Sequence, residues 1–319
     1  MVKTILRRFL QMIPVLFVVV TLVFILTRMI PGNPATAVLG PQATTEDIAK
    51  MEEKMGLNKS KLEQYGMYWN DILHGDFGTS YSYNKPVLDL LGERIPNTLA
   101  LSLTSLVLAI LIGVPIGVYS AVHQNTAFDY IVMSLAIVGI SVPIFWFALM
   151  MILVLAVNLK WLPAMGIGDW SNGFWGYVQY MIMPVICLTL HPTATFARIS
   201  RSSTLETINT DYIKALRSKG LSEPKLLWKH AFKNARPPII TVIGMQLAYC
   251  VTGAMLTETI FSWPGMGMLI VKAVTNRDYA MIQGTVVIVA IVFIVVNLLV
   301  DLAYMLVNPK VSYEGGQKS

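Results

Sequence analysis

The sequence predicts an all-α integral membrane protein with six transmembrane helices, and three observations predict it. Over 319 residues the chain is 55% hydrophobic and 13% charged, with a mean hydropathy of +0.61, a balance that keeps no soluble domain of this size in solution. Six separate apolar stretches reach the length of about 20 residues that a helix needs to cross a hydrocarbon core. Lipid offers the backbone no hydrogen bonds, so each of these stretches must satisfy its amides internally, as a helix does.

The first span is residues 9–27, preceded by Lys3, Arg7 and Arg8. A basic start, an apolar run and Ala35-Thr36-Ala37 imitate a secretory signal with a cleavage site. The run is longer than the about 7 to 15 residues of a signal core, and Arg28 and Pro31 separate it from the alanines, so it reads as a retained anchor. Residues 99–119 form the second span, where Gly113 and Gly117 make the small-x-x-x-small pattern of closely packed helices. The third span is 131–157 and the fourth, with Pro184 and Pro192 inside it, is 179–197. Residues 239–261 and 280–307 complete the set; the third and sixth exceed the minimum and have length to tilt.

Orientation follows from the basic residues beside the spans. Residues 198–236 carry nine Lys or Arg against three Asp or Glu, whereas 28–97 carry seven against nine. The basic loop is therefore expected on the cytoplasmic side with both termini, and 28–97 outside. Trp161, Trp170, Trp175, Tyr177 and Tyr180 cluster at the expected outer ends of spans three and four, where interfacial anchors belong. The net charge of +6 is thus accounted for by topology and calls for no nucleic acid.

Catalytic signatures are missing. The chain has no phosphate-binding loop, no His-Glu-x-x-His and no Gly-x-Ser-x-Gly, which predicts a non-catalytic subunit that hydrolyses no ATP and holds no cofactor of its own. Gly265-Met266-Gly267 reads as a tight turn. Cys187 and Cys250 lie in apolar runs and provide neither a disulfide framework nor a metal site. Three polar residues in or beside the spans are candidate gate or helix-packing groups, because charge in lipid is expensive. Asp301 lies one turn beyond Asn297 in span six; Glu258, near the outer end of span five, is placed to meet Arg277, a binding partner or solvent; His191 precedes Pro192 and can satisfy backbone freed there. A lone histidine makes no metal site.

The basic loop is the informative segment, since 39 residues between two spans need a reason. Asn209 or Thr210 caps a helix with Asp211 in its first turn, along which Tyr212, Ala215, Leu216 and Lys219 recur at helical spacing until Gly220 ends it. Ser222 caps a second helix with Glu223 and Pro224 in its first turn, whose apolar content is Leu226, Leu227, Trp228, Ala231 and Phe232; Asn234, Pro237 and Pro238 are expected to close it. Two such helices either lie on headgroups or dock into a partner's groove.

Asp211-Tyr212-Ile213-Lys214-Ala215-Leu216-Arg217-Ser218-Lys219-Gly220-Leu221 resembles the coupling loop of binding-protein-dependent permeases, in the oligopeptide, dipeptide and nickel branch. The family form is Glu-Ala-Ala, three residues, then Gly; here Lys214 and Leu216 replace the Glu and the second Ala, while Ala215 and Gly220 remain. Pro31-Gly32-Asn33-Pro34 resembles the branch's Pro-Gly-Asp-Pro. Tyr65-x-x-x-Trp69 followed by Gly75-Asp76-Phe77-Gly78-x-Ser80 resembles its outer-loop signature. Glu258-Thr259-Ile260-Phe261-x-Trp263-Pro264-Gly265-x-Gly267, Asn276-Arg277-Asp278-Tyr279 and Asp301-Leu302-x-Tyr304 before Asn308-Pro309 resemble its C-terminal pattern in order.

This resemblance implies a type I ABC importer permease architecture of the peptide permease B type, in the cytoplasmic (inner) membrane of a prokaryote. It divides the chain into an N-terminal transmembrane helix (1–30), an outer loop region (31–97), a five-helix core (98–308) with its coupling loop at 198–236, and a tail (309–319). It implies a second, paralogous permease, two ATPase subunits that bind ATP and Mg, and an extracellular solute-binding protein. Asp211, Tyr212, Ala215, Gly220 and Leu221 are then the residues that meet the ATPases. Within the branch a peptide outranks nickel, since the spans offer few metal ligands. An ion-coupled secondary transporter would carry midmembrane carboxylates and related halves, and an intramembrane enzyme would give His191 a partner; neither pattern is evident.

Overall fold

The computed structural model describes residues 2–30, 32–40 and 42–307, with the side chains of 10–30, 32–36, 38–40 and 42–298. In chain order these form α1 (Val2–Met29), α2 (Pro34–Leu39), α3 (Thr45–Lys54), α4 (Lys61–Leu73), the strands β1 (Thr79–Ser80) and β2 (Lys85–Pro86), α5 (Val87–Val122), α6 (Ala127–Ser141) and α7 (Ile144–Met151). There follow α8 (Gly173–Ile208), α9 (Asp211–Ser218), α10 (Glu223–Lys225), α11 (Phe232–Ile260), α12 (Met266–Thr275) and α13 (Tyr279–Val307). Five of these helices are long and apolar enough to cross a membrane by themselves, and α6 with α7 and its π-helical extension Ile152–Asn158 make a further pair.

That pair corrects the expected continuous span at 131–157: its halves are bent by 101°. Pro143 caps α7, and Val142 before it is extended at φ −72° and ψ 123°, because a proline ring excludes helical backbone from the residue preceding it. Prolines elsewhere do not break helices. α8 passes through Pro184 and Pro192 and ends at Ile208, and α11 contains Pro237 and Pro238, which were expected to close a loop helix. The segment between these two long helices therefore narrows from the expected 198–236 to 209–231.

The chain forms two compact units, Met1–Asn97 with Pro264–Val295, and Thr98–Trp263 with Val296–Ser319. The core of the first joins Val87, Leu90 and Leu91 to Met266, Leu269, Met281 and Ile282. Capping boxes start α3, from Thr44 and Asp47, and α4, from Ser60 and Glu63, satisfying amides that a helix start leaves bare. The same bonds, with the Ser60 hydroxyl foremost, hold the Glu63 carboxyl below its ordinary value. α4 lies on α1 through Phe17 stacked on Trp69 (5.5 Å) and Phe24 against Tyr65 (5.2 Å). Gly32, at φ +109°, leaves the space in which a Cβ would come within 2.7 Å of Arg277 Nη1. Pro31, the first residue of that motif, lies outside the described residues.

In the second unit α5 and α8 touch along their backbones: a Cβ on Gly113 would meet the Thr193 carbonyl oxygen at 2.6 Å, and one on Gly117 would collide with that of Ala197. The small-residue pattern is thus the packing device that the sequence suggests. A hydrogen bond from Ser105 Oγ to the Val185 carbonyl (3.3 Å) joins the same two helices, and one from Ser102 Oγ to the Cys250 carbonyl (3.3 Å) joins α5 to α11. Trp161, Trp170 and Trp175 are exposed, as anchors should be. Tyr177 instead belongs to the core, stacked on Trp170 at 4.2 Å and set edgewise on Trp263.

Candidate functional site in the basic loop

Helix α9 starts at Asp211 and ends before Lys219, within a residue of its expected limits. Thr210 occupies the N-cap position, but its hydroxyl donates back to the Thr207 carbonyl (2.7 Å) and caps nothing. Gly220 follows with φ +79° and no atom within 4 Å of where a Cβ would stand. Glycine is favoured there by backbone conformation alone, since a side chain resists the left-handed region. Past the turn, Ser222 starts α10, which passes into a π-helical turn over Leu226–Ala231 and then into α11.

The loop folds on a small core of its own. Ile213, Leu226 and Ala231 are buried, with Ile208, Leu216 and Leu227 packed against them. Ile213 was absent from the expected face; its spacing of three from Leu216 was the available signal. Arg217 spans the turn to Glu223 with two bonds, Nε to Oε1 at 2.6 Å and Nη2 to Oε2 at 3.0 Å, and Lys214 reaches Asp211 at 3.0 Å. Tyr212 Oη and His230 Nδ1 lie 2.9 Å apart.

What remains outside is aromatic and basic. Tyr212 and Trp228 are each 50% exposed, Ala215 and Asp211 are exposed, and Leu221 is half-buried. Arg236 lies over the Phe232 ring at 5.3 Å, and Phe232 meets Trp228 edgewise. Exposed aromatics among cations, on a scaffold braced by its own core, suit protein docking.

A buried ion pair that sequence reasoning passed over lies in the same unit. Asp129, 1% exposed in the first turn of α6, receives Arg201 Nε at 2.5 Å and Nη2 at 2.7 Å. It also accepts the Ser120 hydroxyl and the Asn125 backbone amide (3.1 Å). α5, α6 and α8 are thereby tied together about two turns before α8 delivers the chain to the loop. Thr126-x-x-Asp129 has a capping form that could have drawn notice.

The other candidates part company. Glu258 is fully buried and accepts a bond from Thr98 Oγ1 at 2.5 Å, so it is a link between α11 and α5 and no solvated carboxylate. His191 stacks on Tyr249 at 4.1 Å. Among the described residues no three His, Cys, Asp or Glu gather as a metal site would need. Asp301 is on α13, but its side chain, with Asn308, Pro309 and the tail, lies outside the described residues.

Comparison with known proteins covers nearly the whole chain. Residues 113–313 match the family described as binding-protein-dependent transport system inner membrane component, and residues 1–102 match its N-terminal companion. The dipeptide transport system permease protein DppB of Alkalihalophilus pseudofirmus is 41% identical, over 96% of this chain and 98% of its own. The glutathione transport system permease protein GsiC of Salmonella choleraesuis is 36% identical, over 98% and 100%. In the inward-facing MetNI methionine ABC transporter, a chain with 19% identity superposes with a TM-score of 0.58, over 69% of this chain and 97% of that one; at that identity the likeness concerns the fold.

Proposed function

Because the chain belongs to the family of binding-protein-dependent transport inner membrane components, a multi-pass, non-catalytic permease, we propose that it carries peptides into the cell by alternating access. The names of its relatives support a short peptide as solute. In this reading two ATPase subunits bind ATP and Mg, a paralogous permease completes the pathway, and an extracellular binding protein delivers the solute. The basic loop faces the cytoplasm with both termini, by the excess of Lys and Arg within it. Spans two to six form the transmission core, and span one with residues 31–97 is an added element.

The single observation that carries this reading is the loop: a braced helix pair with Tyr212 and Trp228 half exposed beside Gly220. ATP binding draws the ATPase pair together, and α9 conveys that movement to α8 and α11. Gly220→Val tests it. A β-branched residue at φ +79° should re-aim the second helix, at a local cost of about 1 to 2 kcal/mol. In liposomes holding the full complex, ATPase stimulation by loaded binding protein and peptide uptake should both fall at least fivefold, with insertion unchanged. Normal stimulation and uptake would refute the docking role.

A further inference from the structure

A cavity of about 180 Å³ in the first unit is bordered by Arg28, Gln64, Tyr68, Asp71, Asp76, Tyr81, Tyr279 and Gln283 among others, and its chemistry is unbalanced. Arg28 is half-buried, with its guanidinium 5.1 Å from the Phe24 ring centre and 5.3 Å from that of Tyr279. Among the described residues its one hydrogen bond goes to a neutral group, Gln64 Oε1 at 2.8 Å, and no carboxylate pairs with it. Gln64 is already spent, its amide donating to the Leu57 and Lys59 carbonyls. The Tyr68 hydroxyl, closed off from that space, has no hydrogen-bond partner among the described residues and is no donor to a molecule within it. A half-buried cation without a carboxylate partner, beside a space with room for about six waters, calls for an oxoanion.

Two exposed carboxylates, Asp71 and Asp76, border the same space. One Asp76 oxygen accepts the Gly78 amide (2.8 Å). A simple anion would meet their repulsion and a simple cation that of Arg28. A molecule bearing both charges suits both signs of the lining.

We propose that this cavity is a binding site for a small zwitterion, with its carboxylate or phosphate on Arg28 and its ammonium toward Asp71 and Asp76. Two sources share this chemistry: a short peptide with free termini and the headgroup of phosphatidylethanolamine. The site involves no residue of the basic loop, and its occupancy is measured without ATP or a binding protein, so its failure leaves the import reading intact.

The test uses the assembled complex in phosphatidylglycerol nanodiscs, titrated calorimetrically with dialanine and with N-acetyl-dialanine methylamide, which carries neither charge. A parallel arm measures phosphatidylethanolamine retained by the complex by native mass spectrometry. A free peptide as ligand predicts saturable dialanine binding, at least tenfold weaker for the blocked form and in Arg28→Gln, and at least fivefold weaker in the double variant Asp71→Asn with Asp76→Asn. Those two carboxylates are exposed, so that variant keeps the fold. A headgroup as ligand predicts instead that phosphatidylethanolamine is retained by the unaltered complex and lost from both variants. The proposal is overturned if neither molecule binds, if the blocked peptide binds equally well, or if the double variant binds as tightly as the parent.

Discussion

Among the described residues each compact unit buries one aspartate almost completely, and the two are satisfied in opposite ways. Asp278, 1% exposed in the first unit, is held by neutral donors: the Ser80 hydroxyl at 2.6 Å and the backbone amides of Ser82 and Met281, each at 3.1 Å. Asp129, equally buried in the second, is held by the fork of Arg201. The neutral arrangement closes a turn: Asp278 precedes α13 and fixes the β1–β2 hairpin to it through one hydroxyl and two main-chain amides, none of which can be left charged. The ionic arrangement ties three helices, and Asp129 without Arg201 is a charge in a poor solvent. Neutral donors make a joint that degrades gradually; the ion pair makes one that is whole or broken.

The largest effect expected from that difference comes from breaking the ion pair on one side. Asp129→Ala leaves Arg201 unpaired, and orphaning one member of a buried pair costs about 3 to 5 kcal/mol. Because the Arg201 side chain is 23% exposed, solvent screening places the loss toward about 3 kcal/mol. Thermal unfolding of the purified chain in detergent reads it. Removing both members, as Asp129→Ala with Arg201→Leu, should be milder than Asp129→Ala alone, since no charge is stranded. A double variant as unstable as the single one would show that the helices need the acid itself.

Asp278→Ala should cost less, about 1 to 3 kcal/mol, the penalty of leaving neutral donors unsatisfied. Asp278→Asn, which retains one acceptor oxygen, should recover part of it. The same unfolding assay ranks these variants against Asp129→Ala. The comparison fails if Asp278→Ala proves the more damaging.

Legibility followed the physics of each signal. Lipid-spanning helices announce themselves by length and hydropathy, and α1, α5, α8, α11 and α13 were all foreseen. The break between α6 and α7 was carried by Pro143 alone, inside an apolar run whose hydropathy never falters. Proline by itself does not decide: Pro184, Pro192, Pro237 and Pro238 sit inside continuous helices. In the loop, the turn at Gly220 was readable because a positive φ selects glycine. The burial of Ile213 was signalled only by its spacing of three from Leu216, because on a helix of eight residues the buried face is chosen by Leu226 and Ala231, which arrive from beyond the turn. Asp129 escaped notice because its partner is 72 residues distant, and Arg28 because an incomplete coordination is visible only once its neighbours are placed.

The smallest effect is expected from the pair that most resembles Asp129 and Arg201 in geometry. Arg217 grips Glu223 with the same two-bond fork, at 2.6 and 3.0 Å, but the side chains are 47% and 64% exposed. Water already solvates both charges, and holding two long side chains in one geometry has an entropic cost that offsets most of the attraction. Glu223→Gln should therefore leave thermal unfolding indistinguishable from the parent. Any change in loop behaviour should disappear near 1 M salt, where the screening length is about 3 Å, whereas the loss in Asp129→Ala should persist there because the pair is buried. Equal salt sensitivity in the two variants would mean that burial does not separate them, and would remove the reason for ranking the buried fork above the exposed one.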